Sequence, residues 1–205
     1  MSVNQDVGPA DTADVTDTAE VPVVDCLPLV HHTVRPEWID HHGHMSEAFA
    51  VLVFGYATDA MMIETGLHGG YRESTGCTLR TVETHLRYLS DVPEGARLAI
   101  RTRILGAAAE KVRYAHELFV LDGVRNVEAV AGLHGVEGAV EASPATLPTE
   151  AEPAATTEVL AVHVDRQAGS ATPFPEAVRQ RLESLTEDAP CWAGRSIAAV
   201  ADPRA

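Results

Sequence analysis

The sequence predicts an α+β domain in which one sheet curls around one buried helix. Two observations carry that expectation. The segment from about Ser46 to Thr65 is apolar around nearly its whole circumference, through Phe49, Val51, Leu52, Val53, Phe54, Tyr56, Met61, Met62 and Ile63. A helix of that kind is a buried helix. One strand-like segment precedes it, and four segments with strand character follow it. A curved sheet with an apolar inner face gives such a helix its cover. The order of elements is compatible with this architecture and does not by itself select it.

Taken in order, residues 1 to about 25 read as a disordered acidic tail. They hold Asp6, Asp11, Asp14, Asp17, Glu20 and Asp25, and the first basic residue of the chain is Arg35. Leu27 to Val34 reads as a strand closed by Arg35-Pro36, because proline removes a ladder donor. A turn rich in Asp, His and Gly spans Asp40 to His44. Ser46 stands where a helix N-cap is wanted, Glu47 where the helix dipole favours an anion, and Gly66 where the helix should stop.

Leu79 to Leu89 alternates, with Val82, Leu86 and Tyr88 on one face and Glu83, His85 and Arg87 on the other. Leu98, Ile100, Thr102 and Ile104 form a second such row, and Val112, Tyr114, His116, Leu118 and Val120 a third. The fourth strand is expected at about Thr157 to Asp165. Before it, residues 124–154 read as a flexible insertion, since a structureless connection of that length is unusual inside a domain. A helical stretch follows near Glu176 to Leu185. The expected organisation is therefore a tail at 1–25, a domain at 26–185 and a loose C-terminal tail at 186–205.

Composition narrows the function. The formal net charge is −15 and Lys111 is the only lysine, which argues against a nucleic-acid partner. Three cysteines, Cys26, Cys77 and Cys191, form no C-x-x-C pair and fit a reducing compartment. The N-terminus lacks a basic start and an apolar stretch, and no run approaches the length of a membrane span. The expectation is a cytoplasmic protein with no membrane partner.

The chemistry concentrates at Trp38-Ile39-Asp40-His41-His42-Gly43-His44-Met45. A carboxylate can activate water or attack a carbonyl, and backbone N–H groups at a helix start can stabilise the oxyanion that results. Asp40 offers the first, and the N–H groups near His44 and Met45 are candidates for the second. Gly43 permits the tight path between them. A helix cap is the plainer reading of Asp40, and a packing role the plainer reading of His44.

Val34-Arg35-Pro36-Glu37-Trp38-Ile39-Asp40 followed by Gly43-His44-Met45 resembles the thioesterase branch of the hot-dog superfamily, the 4-hydroxybenzoyl-CoA-thioesterase-like enzymes. The similarity continues through Ala57-Thr58-Asp59-Ala60, through Glu83 to Leu89, and through His163-Val164-Asp165-Arg166, covering about residues 28–123 and 156–182. Within that branch the chain resembles in particular the enzymes of carnitine breakdown that cleave betainyl-CoA. The resemblance implies a hot-dog fold, a curved antiparallel sheet around a central helix. It also implies acyl-CoA hydrolysis with Asp40 as nucleophile or base, CoA bound across a subunit interface, and a homodimer or dimer of dimers. No metal or cofactor is called for. The chain departs from the family pattern at His42 and Ser46, where asparagine is common, and in the insertion.

Four further residues are candidates for the acyl site. Trp38 and Tyr88 offer aromatic faces to a quaternary ammonium and Glu83 a carboxylate, while His85 could orient water. Core packing is the plainer reading for Trp38 and Tyr88, and a solvated row with Arg87 for Glu83 and His85. Asp59 in the apolar helix is a candidate second catalytic or positioning carboxylate, and a structural hydrogen bond is its plainer reading, since a buried carboxyl calls for a partner. Arg72, Arg101, Arg103 and Arg113 are candidate phosphate partners or ordinary surface residues. Two other functions compete: a hot-dog protein that binds acyl-CoA without hydrolysis, and a metal-dependent phosphoesterase built on His31, His32, His41, His42 and His44. Against the latter, no Asp-x-Asp pair occurs in the chain.

Overall fold

A computed structural model describes residues 26–121, 139–141, 147 and 151–195. The expected acidic tail and most of the expected insertion lie outside the described residues. The elements in chain order are β1 (Leu29–Thr33), a 3-10 turn (Pro36–Trp38), α1 (Glu47–Glu64), α2 (Gly69–Thr75), β2 (Cys77–Tyr88), β3 (Arg97–Ala107), β4 (Lys111–Val120), β5 (Ala139–Glu141), β6 (Ala155–Asp165), β7 (Ser170–Ala171) and α3 (Glu176–Ser184).

The strands form one antiparallel sheet in the order β2-β6-β4-β3-β1-β5, with β7 on β6. β1, β3, β4 and β6 turn their apolar rows to α1. Val30, Leu98, Ile100 and Leu118 pack with Val53, Phe54 and Ala57 of its first half. Ile104, Val112, Tyr114 and Val159 pack with Met61 and Met62 of its second half, joined by Val178 and Leu182 of α3. Each large side chain so buried contributes about 1.5–3 kcal/mol. This is the hot-dog fold, and its α+β class and sheet-around-helix arrangement agree with the expectation.

Several local expectations are corrected. Helix α1 is not buried on every side: Val51 is 56% exposed and Leu52 38%. The single chain leaves that face of the helix without cover. Ser46 is the N-cap residue by position, yet its side chain makes no cap hydrogen bond. In β2 a bulge between Thr81 and Glu83 removes Val82 from the pairing register. Val82 is 54% exposed and does not join the row of Leu86 and Tyr88. Helix α2 was not foreseen; its signals are His68, whose ring accepts from the Tyr71 N–H at 3.3 Å, and Gly76, which ends it at φ 71°.

Residues 139–141, inside the expected insertion, pair with β1. Residues 186–195 are no loose tail. Thr186 bridges to Ile104, Glu187 receives Arg101 and Arg103 at 2.8 Å each, and the Trp192 indole N–H donates to Glu117 at 3.3 Å. The Gly194 N–H donates to Glu158 at 2.6 Å. The segment is a strap across the outer face of the sheet. Among the described residues no single helix is long and apolar enough to cross a membrane.

Candidate active site

The chain leaves β1 and makes one 3-10 turn with Pro36 in its first position, where a missing N–H costs nothing. Trp38 anchors that turn. It is 5% exposed and stacks on Phe49 of α1 at 5.4 Å. Its carbonyl accepts the Ser46 N–H at 2.8 Å, fixing where α1 begins. Trp38 is therefore a core residue that positions the helix start, not a wall of an acyl pocket.

Between these anchors Ile39 bridges to Met45, and residues 40–44 form a tight loop. The Gly43 N–H donates to the Asp40 carbonyl at 3.0 Å, and the Asp40 N–H to the His44 carbonyl at 2.9 Å. Gly43 sits at φ 86°, a conformation that L side chains avoid. The His42 N–H donates to Asp40 Oδ1 at 2.8 Å, a side-chain turn typical of Asp. That bond is the main reason the Asp40 carboxyl is held below its ordinary value; slight desolvation opposes it, and the His44 N–H with the His42 and His41 rings adds to it. Asp40 is an ionised carboxylate with the charge state that a base or nucleophile requires.

One expected oxyanion donor is corrected. The Met45 N–H donates to the Val92 carbonyl at 2.8 Å and is not free for a substrate. The His44 N–H acts on the Asp40 carboxylate, lowering its pKa. The N–H groups of Glu47 and Ala48 in the first turn of α1 have no backbone acceptor among the described residues.

A cleft of about 490 Å³ gathers Asp40, His44, Met45 and Tyr88, with Glu47 and Asp91 beside them. Tyr88 is half exposed, and its hydroxyl donates to the Glu47 carbonyl at 3.5 Å. The His44 Nε2 lies 3.7 Å from the Asp91 carboxylate. Glu47 and Asp91 were missed as site residues. Glu47 had been read only as a partner of the helix dipole, and the loop that carries Asp91 has no motif.

Glu83 and His85 are not brought to this cleft. They line a separate depression of about 390 Å³ with Arg113, Glu158 and Arg195. Three of the four candidate phosphate arginines are engaged elsewhere: Arg101 with Glu187, Arg103 with Glu187 and Glu117, and Arg113 with Glu158. Asp59 is raised above its ordinary value by partial burial, an effect that the charge of Arg72 opposes.

The histidines of the metal alternative do not converge on one point: His31 and His32 lie on β1, apart from the loop that carries His41, His42 and His44. His32 is buried, stacks on Tyr56 at 5.0 Å, and is pushed down to about 4, first by burial and then by the charges of Arg35 and His31. Among the described residues no group of three or more His, Cys, Asp or Glu is placed to hold a metal ion.

Residues 34–182 match the family model of the thioesterase-like superfamily. A betainyl-CoA thioesterase of Pseudomonas aeruginosa is 39% identical over 154 residues, which are 75% of this chain and 80% of that enzyme. An L-carnitine dehydrogenase/betainyl-CoA thioesterase of Agrobacterium fabrum is 34% identical over 171 residues, 82% of this chain but 29% of that longer protein. A hypothetical protein of Staphylococcus aureus, solved in complex with CoA, shares the fold at TM-score 0.65 and 22% identity, over 84% of this chain and 94% of that one.

Proposed function

This chain belongs to the thioesterase-like superfamily and is an acyl-CoA thioesterase, and we propose that Asp40 is its catalytic carboxylate and a betainyl thioester its substrate. The observation that carries the assignment is the Asp40 loop. A carboxylate held ionised by its own turn sits in a cleft beside helix-start N–H groups that have no backbone acceptor among the described residues. The thioester carbonyl accepts from the Glu47 and Ala48 N–H groups while Asp40 attacks the carbonyl carbon or deprotonates a water that does. The oxyanion forms against the positive end of α1, and one such donor is typically worth about 3 kcal/mol in a transition state. The tetrahedral intermediate collapses with loss of the coenzyme thiolate, which takes its proton from the protonated Asp40 or from solvent; in the attack route water then hydrolyses the Asp40 acyl anhydride and frees the acid. The betainyl assignment rests on the names of the two relatives.

The working unit in this reading is a homodimer. β2 is a 12-residue edge strand with one neighbour, and Val51, Leu52, Val82 and Leu89 expose apolar surface on α1, β2 and the residue after it. Edges and apolar faces of this kind call for a partner. A second copy paired along β2 would cover them and bring Glu83 and His85 of each copy to the interface. Cys26, Cys77 and Cys191 are free thiols, which suits the cytoplasm, the compartment this reading assigns.

The test is thiol release from betainyl-CoA and a panel of short acyl-CoA thioesters, using metal-free protein and Asp40→Asn. Hydrolysis that drops by orders of magnitude in Asp40→Asn is expected. Turnover indifferent to Asp40 would overturn the catalytic assignment, and betainyl-CoA ranking among the poorest substrates would overturn the substrate.

A further inference from the structure

We propose that Tyr88 and Glu47 form the part of the Asp40 cleft that holds the acyl group, and that they select an acyl group bearing a fixed positive charge. The inference rests on the thioesterase reading and deepens it to two specificity-determining residues.

A quaternary ammonium has no N–H to donate. It is recognised by the face of an aromatic ring and by a carboxylate in van der Waals contact, not by hydrogen bonds. Sequence alone offered Trp38, Tyr88 and Glu83 for that task. Trp38 is 5% exposed and stacked on Phe49, so its faces are taken. Glu83 opens on the other depression. Tyr88 is the aromatic ring that lines the cleft, with half its surface exposed. Its hydroxyl reaches the Glu47 carbonyl at 3.5 Å, which sets the ring beside the residue that opens α1.

The charges of the cleft agree. Asp40, Glu47 and Asp91 line it against the rings of His42 and His44, and among the described residues no arginine or lysine lines it. The phosphates of coenzyme A are unsuited to such a lining, so the cleft takes the acyl end of the thioester. The positive end of α1 by itself opposes a cation there. Glu47 and Asp91 offset it, which leaves the helix dipole to act on the carbonyl oxygen. Burial, and then the Glu47 charge, push the Tyr88 hydroxyl upward, so the ring stays neutral and its face stays available to a cation.

The test compares betainyl-CoA with 3,3-dimethylbutyryl-CoA, its uncharged carbon isostere. The two differ in the charge of one atom and share the CoA moiety; because the ammonium also activates the carbonyl, the subsite is read from the change in the ratio of their kcat/KM values between wild type and variant. The wild type is expected to favour the cation, with a ratio that falls as salt screens it. The ratio should drop about fivefold or more in Glu47→Gln and in Tyr88→Leu, and Tyr88→Phe should retain it. A wild-type ratio near one, or a ratio unmoved by Glu47→Gln and Tyr88→Leu, overturns the proposal. Calorimetric Kd values for both intact thioesters on Asp40→Asn protein give a second ratio, free of the carbonyl's own reactivity. Should a variant fail to fold, that Kd ratio and its salt dependence decide. Absent hydrolysis therefore sinks the thioesterase reading, and a Kd ratio near one sinks this subsite.

Discussion

The His42 backbone N–H donates to Asp40 Oδ1 at 2.8 Å, two residues along the same turn. A hydrogen bond to the charged form lowers a carboxyl pKa, and Asp40 is held below its ordinary 3.8 mainly for that reason. The base form then persists as pH falls and is lost only as pH passes downward through the lowered value. The kcat/KM for thioester hydrolysis should show no acidic limb from Asp40 above 3.8. Brief pH-jump assays of wild type and Asp40→Glu check this. An acidic limb well above that value, displaced in Asp40→Glu, would show that the turn does not hold the charge.

His116 couples the core to pH in the same sense. It is fully buried between Thr58 and Thr102, with 2.9 Å contacts from Nε2 and Nδ1 to their hydroxyls, and burial pushes it down to about 3. His32 is pushed down to about 4. The unfolded chain protonates both near 6.5, so it binds more protons than the fold below that pH. Their stabilising effect is complete above 6.5 and declines on acidification, by about 1.4 kcal/mol per pH unit for each histidine, until their folded values are reached. Urea unfolding between pH 8 and pH 5 should show this slope. His116→Phe should remove about one proton's share of it, while costing about 1–3 kcal/mol at pH 8, chiefly for the Thr102 hydroxyl, since Thr58 keeps its bond to the Phe54 carbonyl.

The outer-face strap gives an ordering of stabilities. Glu117 is 8% exposed and receives the Arg103 Nε at 2.9 Å, whereas the Arg101–Glu187 pair is about a third exposed on each side. Arg103→Met leaves a buried carboxylate with only the Trp192 indole and should cost about 3 kcal/mol. Glu187→Gln acts where solvent screens the charges and should cost about 1 kcal/mol or less. Urea midpoints measure both, and equal losses would contradict the burial argument.

Assembly along β2 predicts a clean separation in solution. Val82→Lys and Leu52→Glu place charges on surfaces that are 54% and 38% exposed in the single chain. They should cost the isolated fold little, within about 0.5 kcal/mol, because exposed substitutions rarely do more. Sedimentation should nevertheless shift from dimer toward monomer. A double variant that sediments like the wild type would place the interface elsewhere.

Much of this molecule was legible in its sequence because the signals were local. The alternation of Leu98 to Ile104 and Val112 to Val120, the stop at Gly66, and the compressed turn from Asp40 through Gly43 all follow from backbone sterics and two-residue or helical periodicity. Those signals gave the sheet, the helix and the loop that carries the carboxylate.

The tertiary structure alone decided which side chains share a cleft. Spacing along a strand fixes a face and not a neighbour, so Tyr88 meets Glu47 and Asp91 while Glu83 and His85, a few residues earlier, face another depression. It likewise took the fold to spend the Met45 N–H group on Val92, and to draw residues 186–195 over the sheet. Each of those pairings joins segments far apart in sequence, so their proximity depends on tertiary packing and no local periodicity encodes it.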